Sequence, residues 1–178
     1  MRSLRPRAML RRMIATASVS LAVALSAPVL AGAAEAARTV TAAQLPAEVT
    51  TFRQAMTTQL DAYLNTYGDR LNTTERQQMN ALRDEVDREL LTLRTATQRT
   101  ARLAKAHAPA ANQRSAARAA ARAFDAAYAK AIRVLEQVEP ILRPKLSLFE
   151  ALGAKSDLDA QLERFDELGR HIHGLAGR

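Results

Sequence analysis

From Leu45 to Ile172 the apolar residues return every three or four positions, and no stretch alternates apolar with polar at every second residue. The first period is that of one face of an α-helix, and the second is that of a half-buried strand. The chain is therefore confined to an all-α fold. Leu45, Val49, Phe52, Met56, Leu60, Tyr63, Leu64 and Tyr67 form the first stripe. Pro46 suits a first helical turn and Gly68 the position just past an end, which predicts a helix over 46–67. A second stripe runs Met79, Leu82, Val86, Leu90, Leu93, Thr97 and on through Ala101 and Ala104. Thr74-Glu75-Arg76-Gln77 reads as its N-terminal cap and His107-Ala108-Pro109 as its stop. At 1.5 Å per residue a helix over 74–106 extends roughly 50 Å, more than the width of a compact small domain.

The third helix is expected to be capped by Asn112 and to carry Phe124, Tyr128, Ile132, Leu135 and Val138. Ten of the seventeen residues 115–131 are Ala, which favours helix strongly but buries little area. Pro140 and Pro144 are expected to interrupt or kink the chain, leaving a short element through Leu146, Phe149 and Leu152 that Gly153 closes. Ser156 then caps a last helix with the stripe Leu158, Leu162, Phe165, Leu168 and Ile172, ended by Gly174. The expectation is an elongated helical hairpin or a four-helix bundle with a Pro-kinked third helix.

The N-terminus reads as a targeting segment. Arg2, Arg5, Arg7, Arg11 and Arg12 precede an uncharged stretch over 13–34 that ends in small residues, the order of a secretory signal peptide. Val29-Leu30-Ala31, Ala31-Gly32-Ala33 and Ala34-Glu35-Ala36 are candidate cleavage triplets, so residues 1–36 are assigned to the signal and 38–178 to a single helical domain. An uncleaved anchor is the alternative, because 22 residues are long enough to cross a bilayer. The interspersed Thr16, Ser18, Ser20, Ser26 and Pro28 argue for cleavage. The product is expected outside the cytoplasm, periplasmic or extracellular.

Composition removes several chemistries. With no Cys there is no disulfide scaffold, thiolate zinc site, iron–sulfur cluster or cysteine nucleophile. No nucleophile elbow, glycine-rich phosphate loop or His-Glu-x-x-His motif occurs, so no catalytic residue, cofactor or metal is expected. His171-x-His173 is the one His pair; two residues apart on a helix, the rings point to different faces and suit the C-terminal dipole better than a metal. The acidic run Asp84-Glu85-x-Asp87-x-Glu89 lies among Arg83 and Arg88 and reads as a solvated face.

Charge layout is the feature above background. Removing five Arg and Glu35 takes the formal charge from +8 to +4. What remains is concentrated: residues 94–133 hold nine basic groups against Asp125 alone, and the segments on either side are each net −2. Arg114, Arg118 and Arg122 stand at i, i+4 and i+8, one row on a helix, and Arg99, Arg102 and Lys105 arrive at the same hairpin end from helix two. These six are the candidate binding residues. Positive charge at a helix N-terminus opposes the macrodipole, which an anionic ligand would relieve. The reading is a non-enzymatic envelope protein, chaperone- or adaptor-like, whose basic face holds an anionic envelope component, including contact with a membrane surface, or a protein partner. Nucleic acid is not expected, since export separates the two and Phe124 and Tyr128 belong to the core stripe rather than to a stacking platform. The alternative is a self-associating structural helical protein, a homodimer with no small-ligand site.

Thr41-x-x-Gln44, Thr51-x-x-Gln54, Thr74-x-x-Gln77 and Thr95-x-x-Gln98 lack the leading Leu of the Leu-Thr-x-x-Gln motifs found in small periplasmic chaperones of the Spy/CpxP type. In size, export signal and helicity alone the chain resembles those proteins.

Overall fold

The computed structural model describes residues 40–177; the expected signal peptide, the candidate cleavage triplets and the anchor alternative lie outside them. Four helices, α1 (Leu45–Tyr67), α2 (Thr73–Lys105), α3 (Ala110–Leu142) and α4 (Leu148–Ala176), are joined by a 3-10 turn at Gly68–Arg70, a tight turn over 106–109 and a second 3-10 turn at Arg143–Lys145. No strand occurs among the described residues. The all-α fold is therefore realised as a bundle. Each helix packs on the next in sequence, and α4 returns to α1. Cross-links give the directions. Arg53 pairs with Asp87 and Asp61 with Arg83, Glu75 with Lys145 and Glu85 with Lys130, and Glu48 with His171 while Tyr63 meets Asp157. In each set the numbers rise on one side as they fall on the other, so neighbours run antiparallel, up-down-up-down.

α2 buries Met79, Leu82, Val86, Leu90, Leu93, Thr97 and Thr100, a seven-residue repeat that keeps one seam facing inward. α3 answers with Ala116, Ala117, Ala120, Ala121, Ala127 and Ala131 around Phe124 and Val134. Small side chains let the two backbones approach closely, so the Ala run that buries little by itself provides the surface that α2 covers. Thr97 and Thr100 are almost fully buried, yet neither hydroxyl is stranded: they donate to the Arg94 carbonyl at 2.9 Å and the Ala96 carbonyl at 3.2 Å.

Aromatic rings close the bundle on the other side. Phe165 of α4 stacks on Phe52 of α1 at 4.5 Å between centroids and meets Phe124 edge-on at 5.0 Å, with Tyr128 at 5.4 Å. Gly169 makes this possible. A Cβ there would lie 2.5 and 2.6 Å from two Phe124 ring carbons, inside any ordinary contact.

Helix ends explain where the structure departs from the sequence expectations. α2 is capped by Asn72, not Thr74: the Asn72 side chain accepts from the Glu75 N–H at 2.8 Å, and the Asn72 N–H donates to the Glu75 carboxylate at 2.9 Å. Ser147 and Glu150 form the same box. It starts α4 at Leu148, so the separate connector does not exist, Gly153 and Ser156 lie inside α4, and Gly174 does not end it. α3 starts at Ala110 after Pro109, upstream of Asn112, and runs past Pro140 to Leu142. α2 stops in a Schellman turn, where the Ala108 N–H donates to the Leu103 carbonyl and the His107 N–H to the Ala104 carbonyl. His107 supplies the left-handed residue, at φ 49°.

Candidate functional site

The turn over 106–109 brings the C-terminal end of α2 and the N-terminal end of α3 together at one end of the bundle. Arg99, Arg102, Lys105, Arg114, Arg118 and Arg122 are all exposed there. None of the six forms a hydrogen bond or ion pair with a described residue. Elsewhere several basic groups are paired across elements, although Arg88, Arg133, Lys155, Arg164 and Arg170 are exposed without such a partner. Arg53 grips Asp87 with two bonds of 2.7 and 2.8 Å, Arg83 holds Asp61 at 2.8 Å, Lys145 holds Glu75 at 3.3 Å and Arg70 holds Glu150 at 2.9 Å.

The six share an end but not a face. On α3, Asp125 faces α4, where it meets His173 at 3.0 Å. Arg122 and Arg118 stand three and seven residues before Asp125, and Arg114 four before Arg118, so the row lies on the α4 flank of α3. On α2, Glu85 faces α3 through Lys130. Arg99, fourteen residues further along, returns to that α3 side, separated from the row by the body of α3. Arg102 and Lys105 instead line a shallow cleft of about 560 Å³ with Thr41, Ala42, Ala43, Ala101 and Ala104. The arrangement is a basic collar around the bundle end. Its row extends about 12 Å along α3 from Arg114 to Arg122.

The acidic run does not behave as a solvated face. Asp87 is bound to Arg53 and Glu85 to Lys130, so the run fastens α2 to α1 and to α3, while Asp84 meets Arg83 at 3.4 Å. The hydrogen bond from Arg53 holds the Asp87 carboxyl below its ordinary range. Among the described residues no group of three or more His, Asp or Glu is arranged to hold a metal ion. His171 and His173 diverge, the first to Glu48 on α1 at 3.1 Å, the second to Asp125 on α3.

Sequence reasoning missed a second surface. The sequence places Phe149 and Leu152 in a short connector before the last helix; in the structure Leu148, Phe149 and Leu152 are exposed by 72%, 82% and 54% on the first turns of α4. They lie at the bundle end opposite the collar. Only the position of the Ser147 cap, which sets the phase of α4, could have revealed them. Among the described residues, no helix is long and apolar enough to cross a membrane. No protein-family model, curated protein or solved structure matches this chain.

Proposed function

We propose that the chain is an exported, non-enzymatic helical binding protein of the cell envelope, chaperone- or adaptor-like, whose basic end recognises an anionic envelope component or an acidic protein. The reading of export rests on the N-terminal sequence pattern, and the scaffold is a helical rod with its third helix bent at Pro140. One observation carries the binding reading: six exposed cations gather at one end of the bundle, none of them in an ion pair with a described residue, in a segment whose one acidic group, Asp125, is turned to His173. Unpaired guanidinium groups near the N-terminus of α3 oppose its dipole, so a bound phosphate or carboxylate gains from both the charges and the relief of that opposition. A collar suits a surface or a polymer better than a small molecule, because its members point outward in several directions. Phe124 and Tyr128 serve the core, which leaves the collar without a base-stacking platform and disfavours nucleic acid.

The test is co-sedimentation with vesicles containing anionic lipid, and separately with inorganic polyphosphate, at low and high salt. Binding is expected to weaken as salt rises. At about 1 kcal/mol per cation near an anionic surface, reversing Arg114, Arg118 and Arg122 to Glu lowers affinity by at least about 100-fold. An unchanged affinity in the reversed variant, with helicity intact, removes the assignment.

A further inference from the structure

The geometry points to the exposed start of α4 as the contact surface for a second copy of this chain, joined end to end through Leu148, Phe149 and Leu152. The surface is independent of the basic collar and lies at the other end of the bundle. Three large apolar side chains exposed by 72%, 82% and 54% present roughly 400 Å², the size of the largest apolar patch an ordinary monomer shows. Burying it on two copies removes about 800 Å², and the flanks of two crossing helices supply the rest of a standard interface of about 1,200–2,000 Å².

Charge selects the occupant. Beyond residue 38 the chain is net positive, and two basic collars repel each other. Around the apolar trio most charges are answered within the chain, Arg70 by Glu150, Lys145 by Glu75 and Arg143 by Glu139. A highly charged partner finds little to answer there beyond the single cation Lys155. A like-charged copy can approach at this end, because the contact sets the two collars at the far ends of the assembly. Leu148, Leu152, Lys155 and Ser156 share one face of α4, with Phe149 on its edge. Two α4 helices crossing antiparallel on a two-fold axis at Leu152 place Leu152 against Leu152, the Phe149 ring against Ser156, and Leu148 against the Lys155 stem of the other copy. The contact is self-complementary, as a closed dimer requires.

The chain has no Cys, so a single introduced thiol reports on proximity without background. The experiment uses the full chain, with sedimentation velocity over a concentration series and mild oxidation of Leu152→Cys against Ala126→Cys, an exposed control on α3. The expected result is a dimer that strengthens with concentration, a Kd raised about tenfold or more by Phe149→Asp, and a disulfide-linked dimer from Leu152→Cys only. The mutated side chains are solvent-exposed, and circular dichroism checks that the variants fold. A monomer at every concentration overturns the proposal, as does a dimer indifferent to Phe149→Asp or equal cross-linking of the two Cys variants. A monomer that binds vesicles or another protein through Phe149 also overturns it, by assigning the patch to a different occupant. Phe149→Asp leaves salt-sensitive binding by the collar in place, so failure here is distinguishable from failure of the anion-binding reading.

Discussion

Replacing Gly169 with Ala puts one methyl group into the place where α4 crosses the Phe124 ring. In an open helix position this change stabilises by about 1 kcal/mol, because Ala is the better helix former. Here the new Cβ falls 2.5 and 2.6 Å from ring carbons, and the ring cannot step aside freely. Phe165 stands edge-on at 5.0 Å, Tyr128 at 5.9 Å and His173 at 5.8 Å. Forced overpacking of this kind costs about 1–3 kcal/mol, and the hemmed ring places it in the upper part of that range. After the propensity gain, Gly169→Ala is expected to destabilise the chain by about 1–2 kcal/mol, a fall of about 2–8 °C in Tm. Two internal controls have the opposite sign. A Cβ at Gly153 or Gly174 meets nothing within 4 Å, so Ala at either position stabilises by up to about 1 kcal/mol. Urea denaturation with a constant m-value is the assay. In a Phe124→Leu background, where the ring is gone, the cost of Gly169→Ala should shrink toward zero. A Gly169→Ala chain as stable as wild type would refute this packing of α3 against α4.

Other consequences are equally direct. His107 occupies the left-handed position of the Schellman turn, so His107→Gly should raise stability by about 0.5–1 kcal/mol in the same urea assay. Asp87→Asn breaks a bidentate, part-buried pair between α1 and α2 and is expected to cost about 1 kcal/mol, with no further loss when Arg53→Gln is added. Arg70, with the Ser147 cap, holds the Glu150 carboxyl down to about 2. Because the folded value lies below the unfolded one, its contribution is present above the unfolded value, near 4.5, and is lost as pH falls toward 2. An acid titration of Glu150→Gln should therefore show a shallower loss of stability between about pH 5 and pH 2 than wild type.

Much of the fold was legible because helix phase is local information. The stripe from Met79 to Thr97 encodes its face in residues three and four apart, and that face is the one α2 buries; in α3 only Phe124 of the expected stripe is buried, because the close approach of α2 covers Ala120, Ala127, Ala131 and Val134 instead. Asn72-x-x-Glu75 and Ser147-x-x-Glu150 were equally legible as capping boxes. Overlooking Ser147 started the last helix nine residues late, and that shift hid the exposure of Phe149. The six basic residues could be named from the sequence, and so could their shared hairpin end. Their division into an α4-flank row, a cleft pair and Arg99 on the α3 side could not.

By itself, then, the sequence determined the class of structure and the location of its charge, since periodicity, caps and charge counts are properties of neighbouring residues. Tertiary structure decided which charges are spent. Arg53 with Asp87, Lys130 with Glu85 and His171 with Glu48 join residues 34, 45 and 123 positions apart, and no local pattern links them. The same packing left the start of α4 uncovered. Burial depends on which face another helix occupies, and that is fixed only when all four helices have closed on one another.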